Sequence, residues 1–443
     1  MSDNPGTSAE DKARFVRSQF PKDGLFDGLE WRVSPAPFPL GEKLAGELEN
    51  LGRLLLQFNR GVNLLYRHSL SGKQPAWIAA WLDQGKPAAI LELQRAAAFK
   101  NELPRVIRPD IILTDSGPII TELDSVPGGI GLTAWLNQTY SALPGGGPPV
   151  IGGPDGMMRG FAGIFGQAPA VHIVVSGEAQ TYRPEMVWLA NQLGPRFNVR
   201  DTRFDQFAKG DAVYRFFELF DLPQVPDAKT IFDRAIAGDI RLTAPPKPIF
   251  EEKMLFALLC NRHLRNFWRQ ELGERFFERL LKLTPYSWIV DPAPLPPQGA
   301  FPELNLTDWL QLKSLSQRER ELILKVSGFS DKAWGARGVH LGSDLSTADW
   351  AAAVDEAVAS FPTSPYVLQR YHHPALLDSQ WHDFAKNTLV SMPGRVRLCP
   401  YYFVAGENDA ARATLSGVLA TVCPADKKII HGMSAAILAP CSI

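Results

Sequence analysis

Residues 108–124 read RPDIILTDSGPIITELD and run directly into SVPGGIG at 125–131. Ile111, Ile112, Leu113, Ile119 and Ile120 favour strand, and Asp115-Ser116-Gly117-Pro118 supplies turn chemistry, so the stretch predicts a β-hairpin. With the turn centred on Ser116, Asp110 falls opposite Glu122 and Arg108 opposite Asp124. All four share one parity, which puts their side chains on one face. Two carboxylates about 5 Å apart repel by roughly 3 kcal/mol at an effective dielectric near 20. A chain tolerates such a cluster by raising a pKa, by leaving the face in water, or by binding a cation. Oxygen ligands on a rigid hairpin suit magnesium, which takes carboxylates, waters and substrate phosphates. A solvated hairpin face is the alternative reading.

Composition narrows the classes. At 443 residues the chain has room for two or three domains with sizeable cores. Its 46 basic and 47 acidic residues nearly cancel, so no general affinity for nucleic acid or an anionic membrane is expected. The start, MSDNPGTSAEDKARF, is polar and charged and carries no secretory pattern, and no apolar run reaches membrane-spanning length. Cys260, Cys399, Cys423 and Cys441 are widely separated and fit reduced, structural thiols of a cytoplasmic protein. His372 and His373 lack carboxylates at ligand spacing and are assigned no metal.

Along the chain, the first 30 residues read as a loose arm, and residues 42–100 as a helical lead-in. Leu132–Tyr140 reads as a helix entered through glycines, and 143–156 as a loop. AVHIVVSG (170–177) has the continuous apolar run of a buried parallel strand, and RPEMVWLANQLG the pattern of a helix stopped by Gly194. With NVRDTRF and DAVYRFFELFDL these segments suggest a small doubly wound α/β layer, whose ligands bind near strand carboxyl ends. VVSGEAQ lacks the GxGxxG spacing of dinucleotide-binding folds. Beyond residue 240, a Pro-rich loop leads into a helix carrying Lys253, and Ser346 caps a helix running to Phe361. GRVRLCPYYFVAG and SGVLATVCPADKKIIHG read as antiparallel strands.

ELILKVSGFSDKAWGARGVHLG (321–342) is the second chemically suggestive stretch: a strand ending in Lys325, then a loop with Ser327, Gly328, Lys332, Gly335, Arg337 and Gly338. Glycines let backbone N–H groups approach an anion, and lysine neutralises it as a point charge. A surface hairpin with ordinary basic residues is the alternative, and no Walker A motif is present. YVLQRY, with Gln369 and Tyr371, could offer backbone groups to an adenine edge or be a plain strand.

An acidic face, a basic loop with its lysine and a candidate hinge strand together resemble the circularly permuted ATP-grasp ligases, and within them the glutathionylspermidine synthase-like C–N ligases. In that family an Arg-x-Asp stands twelve residues ahead of a Glu-x-Asn that binds magnesium; Arg108-Pro-Asp110 and Glu122-Leu-Asp124 repeat the spacing with aspartate for asparagine. Lys253 and Lys325 resemble the two ATP lysines in order, at an interval of 72 residues. VLQRY resembles the family's Tyr-Gln-Gln hinge, and the resemblance covers roughly residues 100–435. A late family arginine has no counterpart in place: Thr421 stands there.

The resemblance implies an α/β (α+β) ATP-grasp fold in permuted order with a small doubly wound pre-ATP-grasp layer. It implies four parts: a lead-in at 1–100, the metal-binding hairpin at 101–150, the pre-ATP-grasp-like domain at 151–240 and the nucleotide-binding part at 241–443. ATP and Mg2+ are the implied cofactors, with Asp110, Glu122 and Asp124 as metal ligands and Arg108 as the catalytic cation. Lys253, Lys325, Ser327, Gly328, Lys332, Gly335, Arg337, Gly338, Gln369 and Tyr371 are the implied nucleotide-binding set. Small-molecule or peptide carboxylates and amines are the implied substrates. A non-catalytic nucleotide- or peptide-binding protein of this fold and a metal-dependent nucleotide-sugar transferase are the competing readings.

Overall fold

The computed structural model describes residues 7–21, 30–333, 337–430 and 435–443. In chain order the elements used below begin with α1 (Ala9–Ser18), β1 (Phe38–Pro39), α2 (Gly41–Leu70), α3 (Ala76–Asp83) and α4 (Ala88–Arg95). The hairpin strands β2 (Val106–Thr114) and β3 (Gly117–Asp124) lead into α5 (Ile130–Ser141) and α6 (Gly156–Gly163). Then come β4 (Val171–Val175), α7 (Arg183–Leu193), β5 (Phe197–Arg200), β6 (Ala212–Phe216), α8 (Ala228–Ile236) and β7 (Arg241–Thr243). They are followed by α9 (Leu255–Cys260), α10 (Arg265–Leu272), α11 (Glu274–Leu283), β8 (Ser287–Ile289), β9 (Leu322–Val326) and β10 (Val339–Leu341). Last are α12 (Thr347–Ala359), β11 (Tyr366–Arg370), β12 (Leu376–Asp383), β13 (Thr388–Ala405), β14 (Arg412–Pro424) and β15 (Ile437–Ser442). Among the described residues no helix is long and apolar enough to cross a membrane.

The chain divides into two compact units, one of residues 1–56, 101–245 and 374–443, the other of 57–100 and 246–373. In the first unit, β1-β15-β14-β13-β2-β3 form a sheet to which β12 adds by pairing with β13. A separate sheet, ordered β5-β4-β6-β7, is parallel throughout. All five residues of β4 are buried, as a parallel strand covered on both faces requires. Ile173, Val175, Met186, Leu189 and Tyr214 join Phe161, Tyr401 and Phe403 in one apolar cluster. In the second unit the sheet runs β10-β9-β11-β8, antiparallel throughout. Leu322, Leu324, Val326, Tyr366 and Leu368 pack on its α12 face against Trp350, Ala353 and Val354.

The hairpin forms with one refinement. A two-residue turn at Asp115-Ser116 pairs Thr114 with Gly117, and the register sets Ile112 opposite Ile119. An extra residue, Thr121, then shifts the ladder, so that Asp110 faces Glu122 and Arg108 faces Asp124 as the spacing predicts. Thr121 fastens the bulge by donating its hydroxyl to the Asp110 carbonyl at 3.2 Å. Residues 9–18, expected to be part of a loose arm, are helical. Ser8 and Asp11 make a capping box, and Ala13 and Val16 are fully buried, so the helix is held by cap and packing despite its polar composition. Lys253 lies in a turn two residues before α9 rather than in a helix. The Pro-rich lead-in and the anchoring of Glu252 to Lys86 and Ser327 delay the first helical turn.

Candidate functional site

The side chains of the first unit's sheet form rows. One row reads Ile119, Ile112, Arg397, Thr421 and Leu438 across β3, β2, β13, β14 and β15. In the neighbouring row Glu122 stands opposite Asp110, and next to it Arg108 stands opposite Asp124. Arg108 Nη2 lies 3.1 Å from Asp110 Oδ1 and 3.0 Å from Asp124 Oδ2. From β13, Arg397 Nη1 donates to Asp110 Oδ2 at 3.1 Å, and the Cys399 thiol donates to Asp110 Oδ1 at 3.5 Å. Asp124 Oδ1 accepts from the Val126 N–H at 2.8 Å. The four charged side chains of this network keep only 11–19% of their exposure.

Burial governs the titration here. It raises the Asp124 pKa above the ordinary carboxylate value, against the opposing pull of Arg108. Burial likewise pushes the Cys399 thiol up to about 11, so it is a neutral donor to Asp110. The Arg108 guanidinium is raised: burial opposes it, and Asp110 and Asp124 outweigh the burial. Three carboxylates face two guanidiniums, so one negative charge of the face is left to other neighbours.

The glycines of SVPGGIG serve close packing. A Cβ on Gly128 would stand 2.3 Å from the Tyr182 ring, and one on Gly131 would stand 2.4 Å from the Glu185 carbonyl. Gly129 has φ +85°, and its N–H donates to Glu185 Oε1 at 2.6 Å; Leu132 N–H donates to Oε2 at 3.2 Å. Glu185 thereby supplies the carboxylate that the N-terminus of α5 favours. Burial pushes its pKa up to about 7. Tyr401 donates its hydroxyl to the Gly128 carbonyl at 2.8 Å.

In the second unit, Lys325 pairs with Val367 and with Val339, and its side chain shares a sheet face with Gln369 two positions along β11. Both are buried, and Gln369 Nε2 donates to Ser287 Oγ at 3.1 Å. Ser327 gives its hydroxyl to Glu252, which is also ion-paired with Lys86, both side chains at 1% exposure. Gly328 is pressed on the carbonyl of Glu251, where any Cβ would stand 1.4 Å away. Lys253 Nζ donates to the Ala333 carbonyl at 3.0 Å. The stretch from Ser327 to Ala333 is thus fastened at both ends to residues 251–253. Lys332 reaches Glu356 at 2.8 Å on an exposed surface, Arg337 is exposed, and the Tyr371 ring packs 5.0 Å from His373. Gly338 accepts at its carbonyl from Val326 N–H at 3.0 Å. Gly335, and His431 near the C-terminus, lie outside the described residues.

Taken separately, the first unit offers hard carboxylate oxygens of the kind that suit a divalent cation, and the second offers a buried lysine nitrogen beside a glycine-containing loop of the kind that suits an anion. As arranged, however, both Asp110 oxygens and both Asp124 oxygens already accept from protein donors. Among the described residues no group of three metal-binding side chains is poised around a common point. Sequence reasoning missed Arg397, which sits directly opposite Thr421, and also Glu185, Lys86 and Glu252. Only Arg397 left a trace, in the alternating Arg395-Val-Arg397 of a strand pattern.

No family model matches the chain, and no curated protein sequence matches it. Among solved structures, it is similar to a glutathione synthetase-like effector from Globodera pallida in its apo form, with TM-score 0.52 and 11% identity, over 98% of this chain and 96% of that one. A protein named as a γ-glutamylcysteine synthetase from Methylobacillus flagellatus KT matches with TM-score 0.39 and 11% identity, over 91% and 89%. The first likeness is one of fold: the mixed α/β architecture is shared with that effector.

Proposed function

We propose that the protein is an ATP- and magnesium-dependent carboxylate–amine ligase, a permuted ATP-grasp enzyme of the glutathionylspermidine synthase-like kind working in the cytoplasm. The observation that carries the reading is the common face of Arg108, Asp110, Glu122 and Asp124, built by a bulge that sets their register. The fold shared with the glutathione synthetase-like effector over nearly the whole chain supports it, as does the shared face of Lys325 and Gln369.

In this reading Lys253 and Lys325 neutralise the nucleotide's phosphates, Ser327, Gly328, Lys332, Arg337 and Gly338 border them, and Gln369 and Tyr371 border the base. Asp110, Glu122 and Asp124 hold the metal, which when bound neutralises charge on the phosphate oxygens. The carboxylate substrate attacks the γ-phosphoryl group. A carboxyl O–P bond forms, the bridging O–P bond breaks, and ADP leaves. An amine then attacks the acyl carbon, phosphate departs, and the amine nitrogen gives up a proton. Arg108 steadies the phosphoryl group as it transfers, so the chain contributes positioning and charge compensation.

Two measurements test this. ATP with magnesium should raise the thermal midpoint of the wild type, since ligand at 100 times Kd stabilises by about 2.7 kcal/mol. Glu122→Ala should lose the magnesium-dependent part and Lys325→Ala the nucleotide-dependent part. Screening acids and amines for ADP release then identifies the substrates. A folded protein with no nucleotide shift sinks the reading, whereas a shift without ADP release across acids and amines favours a non-catalytic binding protein. That second reading draws on the engagement of both Asp110 oxygens by arginines.

A further inference from the structure

Arg397 is more than a second partner for Asp110. Its Nη1 donates to Asp110 Oδ2, yet its Nε is buried with no hydrogen-bond partner. Directly across the β13–β14 ladder stands Thr421, 1% exposed, whose hydroxyl is also buried without a partner. Arg108 Nε is in the same condition. Buried polar groups are normally satisfied, and here three unsatisfied ones lie on a single face, two of them on adjacent strands in the same row. A guanidinium placed only to hold Asp110 has no need of an unpartnered edge beside an unpartnered hydroxyl.

We propose that Arg397 is an exchangeable counter-cation: it neutralises Asp110 while the site is free, and turns to an incoming oxyanion that takes its Nε–H and the Thr421 hydroxyl. Asp110 is then released to a divalent cation. Guanidinium nitrogens and a hydroxyl suit a carboxylate or phosphoryl oxygen equally. Metal and oxyanion binding are therefore coupled, and by linkage each raises the affinity for the other by the same factor. The inference rests on the ligase reading for its metal, but no nucleotide is needed to test it.

The experiment is Mn2+ binding to the nucleotide-free full chain, read by the loss of the free-ion EPR signal, alone and with inorganic phosphate or acetate. Wild type should bind Mn2+ weakly alone and at least about fivefold more tightly with the productive anion, within the usual range of such coupling. Arg397→Gln should bind Mn2+ tightly without any anion and show no further gain; it also subtracts pairing of Mn2+ with the anion in solution. Arg397→Lys should behave like wild type. Thr421→Val removes one hydroxyl and no charge, so it carries the test if Arg397→Gln does not fold, and its coupling should fall. Enhancement by phosphate alone assigns the subsite to the transferred phosphoryl group, and by acetate alone to the acid substrate. Equal wild-type affinity with and without either anion, or Arg397→Gln and Thr421→Val indistinguishable from wild type, overturns the proposal. Failure of the ligase reading would show separately, as no nucleotide shift.

Discussion

His172 is a histidine fixed as a neutral ring by its neighbours. Arg200 Nε donates to Nδ1 at 3.2 Å, so the ring proton sits on Nε2, which faces Asp211 Oδ2 at 3.0 Å. Burial lowers the pKa, more than Asp211 raises it. With the folded value below the unfolded one near 6.5, the unfolded chain binds the extra proton in between. The stabilisation is therefore fully present above about pH 6.5 and is lost as pH falls through the folded value. Urea unfolding of wild type should weaken from pH 7 to pH 5, and His172→Gln should remove part of that slope; parallel slopes would refute the assignment. Lys86 makes the complementary case, because its loss strands the buried Glu252. Lys86→Met is expected to destabilise by about 3–5 kcal/mol, and adding Glu252→Gln to recover much of it. Equal stability of the single and double variants would show that the pair is not the cause. Residues close in sequence were legible at this scale: Arg108, Asp110, Glu122 and Asp124 announce themselves by parity. Arg397 meets Asp110 across 287 positions, and no spacing rule reaches so far.

Elements were legible where a local signal matched their packing. The apolar run of β4 and the Ser346 cap of α12, whose hydroxyl accepts from Asp349 N–H, were both visible in the chain. The helix α1 was hidden because its apolar face is only partly apolar in sequence and its two buried residues are Ala13 and Val16. The hairpin turn was placed one step off, and the bulge compensated. A centre on Ser116 and a turn at Asp115-Ser116 differ by one residue, which Thr121 restores. Deleting Thr121 tests that bulge as an element. With the turn at Asp115-Ser116, removing the extra residue leaves a regular ladder in which Glu122 and Asp124 still fall opposite Asp110 and Arg108, on the same face. Arg108 keeps Asp124, and what is lost is the Thr121 hydroxyl's bond to the Asp110 carbonyl. The deletion is therefore expected to cost only about 1 kcal/mol in denaturant unfolding and to keep the metal-dependent thermal shift. A deletion variant that loses several kcal/mol and the shift would mean that the acids depend on the bulge itself and not on the register alone.

At the scale of the whole molecule, periodicity reports each segment but not which distant segments share a core. That 57–100 packs with 246–373 is a matter of contacts between residues far apart in sequence, which local patterns do not encode. Each unit nevertheless has its own apolar cluster, with Ile173 in one and Leu324 in the other, both fully buried. Each also has its own buried ionic network, Arg108–Asp110–Arg397 in the first and Lys86–Glu252 in the second. Separate cores predict separable unfolding. Ile173→Ala and Leu324→Ala each remove buried methyl groups, at an expected cost of about 2–5 kcal/mol. In calorimetry, Leu324→Ala should lower the transition of the unit carrying Lys253 and Lys325 and leave the other in place, with Ile173→Ala doing the reverse. If the ligase reading holds, ATP without metal raises only the transition that Leu324→Ala lowers, because the nucleotide lysines are in that unit. A single transition shifted alike by both substitutions would mean that the two cores unfold as one cooperative block. The ATP shift would then have to be assigned by Lys325→Ala alone.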